Sequence, residues 1–300
     1  MTRRTPTLTM PSYPRTLFCL AAVYNRVETT RRFLEQLRRQ RGCDPVVLIV
    51  DDGSTDGTGA MLRSVEGLAL DVVRGSGDLW WGGAMRVGMK RAAARMGPDD
   101  ALLLLNDDIT IEDDFLARFI AAARALGPRV VIGCQQRAQE SGAASLYGYL
   151  IDHLRCRIDD VTAPLVGRAP QDVDALCGRG MLLSREILER VGYVDGTRFP
   201  HYLGDIEYSA RAKDLGFRIV CDPSIVVTTS FAASDSGRIG RNTWRRLTSP
   251  VSSKNFIQHY RFWLRRGPKV MAYTAAVRFP LIKLGRAFTG GAAAKSTYAR

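Results

Sequence analysis

The sequence predicts an α/β fold, a mixed sheet flanked by helices, followed by a basic amphipathic helical extension at the C-terminal end. Three observations predict it. Short apolar runs alternate with helix-period segments over the first 135 residues, the pattern of successive βαβ units. Two of those runs end directly in paired aspartates, at the position where open α/β sheets gather their ligands. The basic excess is confined to one end. Of 43 Lys and Arg, 14 lie in residues 237–300, which hold no Asp or Glu, and the other 29 are balanced by the 30 acids.

Residues 1–14 are expected as a flexible tail, and Thr16–Val23 as the first strand. The apolar run at Leu17–Val23 is at the short limit for a signal-peptide core and leads straight into a motif, so it is assigned to the fold. A helix follows over Glu28–Gln40, with Phe33, Leu34 and Leu37 on one face and Glu35 and Arg39 paired four apart on the other. Pro45–Val50 is a β-branched run suited to burial on both sheet faces. Leu68–Val73 and Ala101–Leu105 are the next strands, with helices over Gly83–Met96 and Asp113–Leu126. Beyond residue 135 the pattern loosens. Strands are expected at Arg129–Gly133, Ser145–Ile151, Phe217–Cys221 and Ile225–Thr229, and helices at Arg185–Val191 and Asp205–Leu215. A Ser/Gly/Arg-rich linker, Ala232–Asn242, precedes the basic segments. There Phe256, Ile257, Tyr260, Trp263 and Leu264 share a helical stripe, with Lys254, Arg261 and Arg265 beside it.

Composition narrows the function classes. An apolar share of 46% and a charged share of 24% are those of a globular protein, not a disordered one. The six cysteines form no CxxC pair and no histidine stands at zinc-ligand spacing, which favours buried, reduced thiols in the cytoplasm. No run reaches about 18 uninterrupted apolar residues, so no spanning helix is expected.

Four segments carry chemistry. Asp51-Asp52-Gly53-Ser54-Thr55-Asp56 follows the second strand. Its aspartates suit hydrogen bonds from a nucleobase or ribose, although Asp-Gly pairs also build plain turns. Asn106-Asp107-Asp108 follows the strand at Ala101–Leu105. Adjacent carboxylates there suit a hard divalent ion bridging diphosphate oxygens, the alternative being a helix-capping turn. Glu112, Asp113 and Asp114 are left as residues that complement a helix dipole. In Gly75–Gly88, glycines at a helix start let backbone amides approach a ligand, while Trp80 and Trp81 serve as core anchors or ligand contacts. That segment is neither a dinucleotide fingerprint nor a P-loop, which argues against both enzyme classes. The last, Gly204-Asp205-Ile206-Glu207 followed by Arg211, sets two acids at i and i+2, off one helix face and so suited to different tasks. As a helix N-cap alone, Asp205 would carry no chemistry.

In this order and spacing, over Thr16–Thr229, the four segments resemble the family 2 glycosyltransferases with a GT-A-type, Rossmann-like fold. They look most like a rhamnosyltransferase-like bacterial subset that builds surface polysaccharides. The resemblance implies that Tyr24, Asn25, Asp51, Asp52, Ser54 and Asp107 bind the nucleotide. It places Trp81, Gly82, Gly83 and Arg86 in a loop beside the sugar-diphosphate. Asn106 stands first in the DxD position, which shifts the metal role, for Mg²⁺ or Mn²⁺, onto Asp108 with Asp107 beside it. Asp205 is assigned the general base, with Glu207 and Arg211 supporting the acceptor site. A third metal ligand, often a His after the last core strand, is replaced by Thr228, Thr229 and Ser230, and the QxxRW motif of processive members is absent. The implied donor is a UDP-, dTDP- or GDP-linked sugar and the acceptor a saccharide or lipid-linked hydroxyl. Residues 15–135 would hold the donor, 136–231 the acceptor, and 232–300 form the extension.

The extension suggests an anionic membrane surface as partner, through residues 237–300, and a peripheral position on the cytoplasmic face. A packed helical subdomain with a solvated basic face is the other expectation. Three rivals remain at this level: a sugar nucleotidyltransferase, which would want a Gly-rich loop where Val23-Tyr24-Asn25-Arg26 stands; a nucleic-acid binder, which leaves the strand-end acids unused; and a silent member of the fold. No specific nucleic-acid partner is expected.

Overall fold

The computed structural model describes residues 13–139, 145–162, 169–229, 249 and 255–268. The expected tail, apart from Tyr13 and Pro14, the Ala232–Asn242 linker and the part of the basic extension beyond residue 268 lie outside those residues.

The sheet is built on four runs pairing in parallel: β1 (Leu17–Val23), β2 (Val46–Asp51), β3 (Ala69–Arg74) and β4 (Ala101–Asn106). β1 lies between β2 and β4, and β3 lies outside β2. Leu20, Ile49, Leu103 and Leu104 are fully buried, since helices cover both faces, which is why these runs show no alternation. β3 ends the sheet and leaves Val72 41% exposed. Because the four strands run one way, Val23, Asp51, Arg74 and Asn106 end along one edge.

The second half supplies β5 (Ile109–Thr110), β6 (Val130–Ala138), β7 (Ser145–Leu146), β8 (Tyr149–Asp152), β9 (Arg157–Asp160), β10 (Gln171–Asp172), β11 (Met181–Ser184) and β12 (Arg218–Thr229). The main sheet runs β10-β12-β6-β11-β4-β1-β2-β3, with β5 on β12 and β7 on β6, while β8 and β9 form a separate pair. β11 is antiparallel to β4 and β6, and β6 is parallel to β12, so the sheet is mixed. This topology brings the start of β11 and the ends of β6 and β12 to the edge where β1–β4 finish.

Helices α1 (Val27–Arg38), α2 (Thr58–Arg63), α3 (Trp80–Ala93), α4 (Phe115–Leu126), α5 (Arg185–Val191), α6 (Gly204–Asp214) and α7 (Phe256–Arg266) complete the described chain. On one face Phe33, Leu37, Phe115 and Phe119 pack on Cys19, Ile49 and Leu103. On the other, Met85, Met89, Ile187 and Tyr208 pack on Leu20, Leu48 and Leu104.

Three departures from the sequence expectation have physical causes. α3 begins at Trp80 rather than Gly83, because its first amide is held by a carboxylate from a distant strand end. The two strands expected at 217–221 and 225–229 are one strand with a shifted register between Asp222 and Val226, a bulge around Pro223 that spares the ladder a missing donor. On α7, Trp263 of the expected stripe and Phe262 beside it are buried with Phe199, Ile206 and Ala210, while Phe256, Ile257, Tyr260 and Leu264 are half-buried. α7 is therefore packed on the fold through the C-terminal part of its apolar face. Among the described residues no helix is long and apolar enough to cross a membrane. All six cysteines are free, with Cys19, Cys134 and Cys221 buried.

Candidate active site

Turns after β1, β2 and β3 are stitched together at the shared edge. The Ser54 hydroxyl accepts from the Asn25 amide at 2.9 Å, and Asn25 Oδ1 accepts from the Thr55 amide at 2.7 Å. Asp51 Oδ1 accepts from the Ser54 amide, so Asp51 shapes the turn. Asp52, 5% exposed, reaches across to the loop after β3: Oδ1 accepts from Gly77 N at 2.9 Å and Oδ2 from Trp80 N at 3.0 Å. Tyr24 stands beside this turn, 50% exposed.

Held this way, Trp81 becomes the centre of the edge. Its indole N–H donates to Asn106 Oδ1 at 3.0 Å, directly before Asp107 and Asp108. Its ring lies against Gly178 and Gly204, where added Cβ atoms would stand 2.6 Å and 3.3 Å from ring carbons. Gly82 donates to Pro200 O at 2.7 Å, and Gly82 and Gly196 are in backbone contact that leaves no room for a side chain on either. The Pro200 loop thereby sets His201 edge-on to Trp80, with ring centroids 6.4 Å apart.

Two arginines flank the acid pair. Arg26 pairs with Asp107 at 2.7 Å and with Asp108 at 3.5 Å, and Arg179 Nε lies 3.7 Å from Asp108 Oδ1. Asp107 also accepts from the Thr30 hydroxyl. Burial pushes the Asp107 pKa up to about 6, a rise that Arg26 opposes and Asp108 reinforces. Burial pulls the Arg179 pKa down, but the acidic groups around it outweigh that effect, and at neutral pH the charged ones are Asp108 and Asp205.

Asp205 sits in the first turn of α6. Its Oδ2 accepts from Gly178 N at 2.8 Å and its Oδ1 from Ile206 N, which fixes the carboxylate beside Trp81 and within electrostatic reach of Arg179 and His201. The neighbouring Cys177 thiol is raised to about 11 by burial and then by Asp205, so it stays protonated and is no nucleophile. Asp52 thus holds the Trp80 amide, Asn106 two residues before Asp108 holds the Trp81 indole, and Asp205 holds Gly178 against the Trp81 ring, so three separate parts of the chain meet at the Trp80–Trp81 pair.

Glu207 and Arg211 stand behind this cluster. Glu207, 1% exposed, accepts from Arg211 Nε at 3.1 Å, and Arg211 also donates to the carbonyls of Val191 and Tyr193. They brace the loop that carries His201. Arg86, expected beside the sugar-diphosphate, instead lines a second pocket with Arg211 and Arg265. Arg26, Arg179 and His201 were missed from the sequence. Arg26 directly follows the Tyr24-Asn25 pair, which was the available signal; Arg179, between two glycines, precedes a strand too short to recognise.

Among the described residues no three His, Cys, Asp or Glu side chains gather to hold a metal. The cleft does offer Asp108 Oδ1, buried with no hydrogen-bond partner, and the similarly buried Thr229 Oγ1 at the end of β12. A lone carboxylate fits Mg²⁺ or Mn²⁺, hard ions that keep waters and take further oxygens from substrate phosphates. Chemically, the edge combines an acid that can take a proton, a carboxylate open to a cation, and two fixed guanidiniums.

The profile described as "Glycosyl transferase family 2" matches residues 19–192. The succinoglycan biosynthesis protein ExoO of Rhizobium meliloti (strain 1021) is 32% identical over 124 residues, which are 40% of this chain and 32% of that protein. The chain thus spans about a third of that relative's length. Among solved structures, the mannosyltransferase PcManGT of Pyrobaculum calidifontis, in complex with GDP-Man and Mn²⁺, superposes with a TM-score of 0.58 at 19% identity, covering 94% of this chain and 77% of that one. S. aureus TarS 1–349 in complex with UDP-GlcNAc gives 0.60 at 12% identity, covering 93% of each chain. These likenesses establish the GT-A fold.

Proposed function

The chain belongs to glycosyl transferase family 2, and from that premise we propose that it transfers one sugar from a nucleotide diphosphate-sugar to an acceptor hydroxyl, inverting the anomeric carbon. The observation that carries this reading is that the strand-end segments of Asp52 and Asp108 and the helix start at Asp205 are tied to the one Trp80–Trp81 pair, through the Trp80 amide, Asn106 and Gly178. Residues 15–135 take the donor and 136–231 the acceptor. The donors in the similar complexes, GDP-Man and UDP-GlcNAc, set the range to test, and the likeness to ExoO supports polysaccharide synthesis.

In this mechanism Tyr24 and the Asn25–Ser54–Asp52 turns receive the nucleoside. Asp108 would hold Mg²⁺ or Mn²⁺, which neutralises charge on the departing diphosphate when bound. Arg26 and Arg179, already charged and aimed at Asp108, add fixed positive charge to the same place without reorganisation. Asp205, its carboxylate oriented by the Gly178 and Ile206 amides, takes the proton from the attacking hydroxyl, a contribution of about 10²–10⁴-fold. A thermal-shift panel of UDP-, GDP- and dTDP-sugars, with and without Mn²⁺, identifies the donor. With that donor, Asp205→Asn should abolish transfer while nucleotide binding survives. Near-wild-type turnover in that variant would move the base elsewhere.

A further inference from the structure

We propose a second anion site, for a phosphate or diphosphate group, in the pocket between α3, α6, α7 and the loop after α5. The pocket has a volume of about 460 Å³ and is lined by Arg86, Tyr193, Asp195, Thr197, Arg198, Arg211 and Arg265. Its arginines come from four separate parts of the chain, so the fold, not local sequence, assembles the charge.

Three of the four guanidiniums are held in place. Arg198 pairs with Asp195 at 2.7 Å, Arg211 with the buried Glu207 at 3.1 Å, and Arg265 with Glu207 at 3.2 Å and Asp195 at 3.5 Å. Arg86 is exposed, with no hydrogen bond or ion pair among the described residues. Four guanidiniums against two carboxylates leave a net charge of about +2, opposite in sign and equal in size to a phosphate dianion. The two carboxylates compensate only half of the positive charge, and a bound anion relieves the repulsion that is left. The occupant differs from the donor, since Arg86 and Arg211 lie on other faces of α3 and α6 from Trp81 and Asp205. The site therefore stands whether or not the transferase reading holds.

Titration of the full chain with pyrophosphate by calorimetry tests this, using wild type, Arg86→Gln and Arg179→Ala, the last to weaken binding at the donor site. We expect saturable binding that weakens about tenfold or more in Arg86→Gln and persists in Arg179→Ala. No binding to wild type, or binding lost in Arg179→Ala and kept in Arg86→Gln, would overturn the proposal. Repeating the titration with dihexanoyl phosphatidate below its micelle concentration separates the sources. Tighter, Arg86-dependent binding of the lipid assigns a headgroup, and Arg86-dependent binding of pyrophosphate alone assigns a soluble phosphate; both uphold the site.

Discussion

At the scale of single residues, the site works by fixing charges before any ligand arrives. Arg179 is the clearest case, since its buried Nε and the unpartnered Asp108 Oδ1 face each other at 3.7 Å, too far for a good hydrogen bond. A ligand oxygen or a cation entering there gains two waiting partners. Arg179→Ala should lower kcat/KM by about 10²-fold, in the range of a lost preorganised donor, and weaken nucleoside diphosphate binding in calorimetry. Unchanged affinity would assign Arg179 to folding alone. Trp81→Phe keeps the ring against Gly178 and Gly204 but deletes the N–H that Asn106 Oδ1 receives. The unsatisfied oxygen costs about 1–3 kcal/mol, and steady-state kinetics should register the displaced acid pair mainly in kcat. Asp52 and Asp108 were legible in the sequence because they stand just after strands, and Asp205 because it opens a helix within a short acidic motif. Arg26, Arg179 and His201 were not, because their meaning depends on partners more than 60 residues away or on a neighbouring loop.

At the scale of elements, long strands and helices with a clear period were legible: β1, β2, β4, α1 and α4 lie where apolar spacing puts them. What failed was local in sequence but decided elsewhere. The start of α3 depends on Asp52, and β11 is four residues running straight into α5 with no turn between them. α3 must also come close to the Gly196–Pro200 loop, and only glycine permits it. A Cβ on Gly82 would enter the space of Phe199 O, a backbone atom that cannot rotate away. Gly82→Ala should therefore push the loop and His201 outward. Overpacking of this kind costs about 1–3 kcal/mol, measurable by urea denaturation, and transfer should fall further than stability accounts for. Normal activity in Gly82→Ala would show that the loop position does not matter to the reaction.

At the scale of the whole molecule, the question is what the basic end does once part of it is seen to be packed. α7 spends its apolar side on the core, where Trp263 is 2% exposed. Trp263→Ala should cost about 3–5 kcal/mol of stability by thermal or chemical unfolding. Lipid binding through α7 would then rest on Arg261, Arg265 and its half-buried apolar residues, while residues 269–300 carry six further Lys and Arg with no acid among them. Juxtamembrane cations contribute about 1 kcal/mol each at an anionic surface, a contribution that salt screens within a Debye length. The full chain should float with vesicles rich in phosphatidylglycerol at low salt, and a chain ending at residue 268, which retains α7, should float poorly. Raising the salt should narrow the difference between the two. Equal flotation of both chains would take residues 269–300 out of the account, and failure of either chain to float would take the membrane out of it.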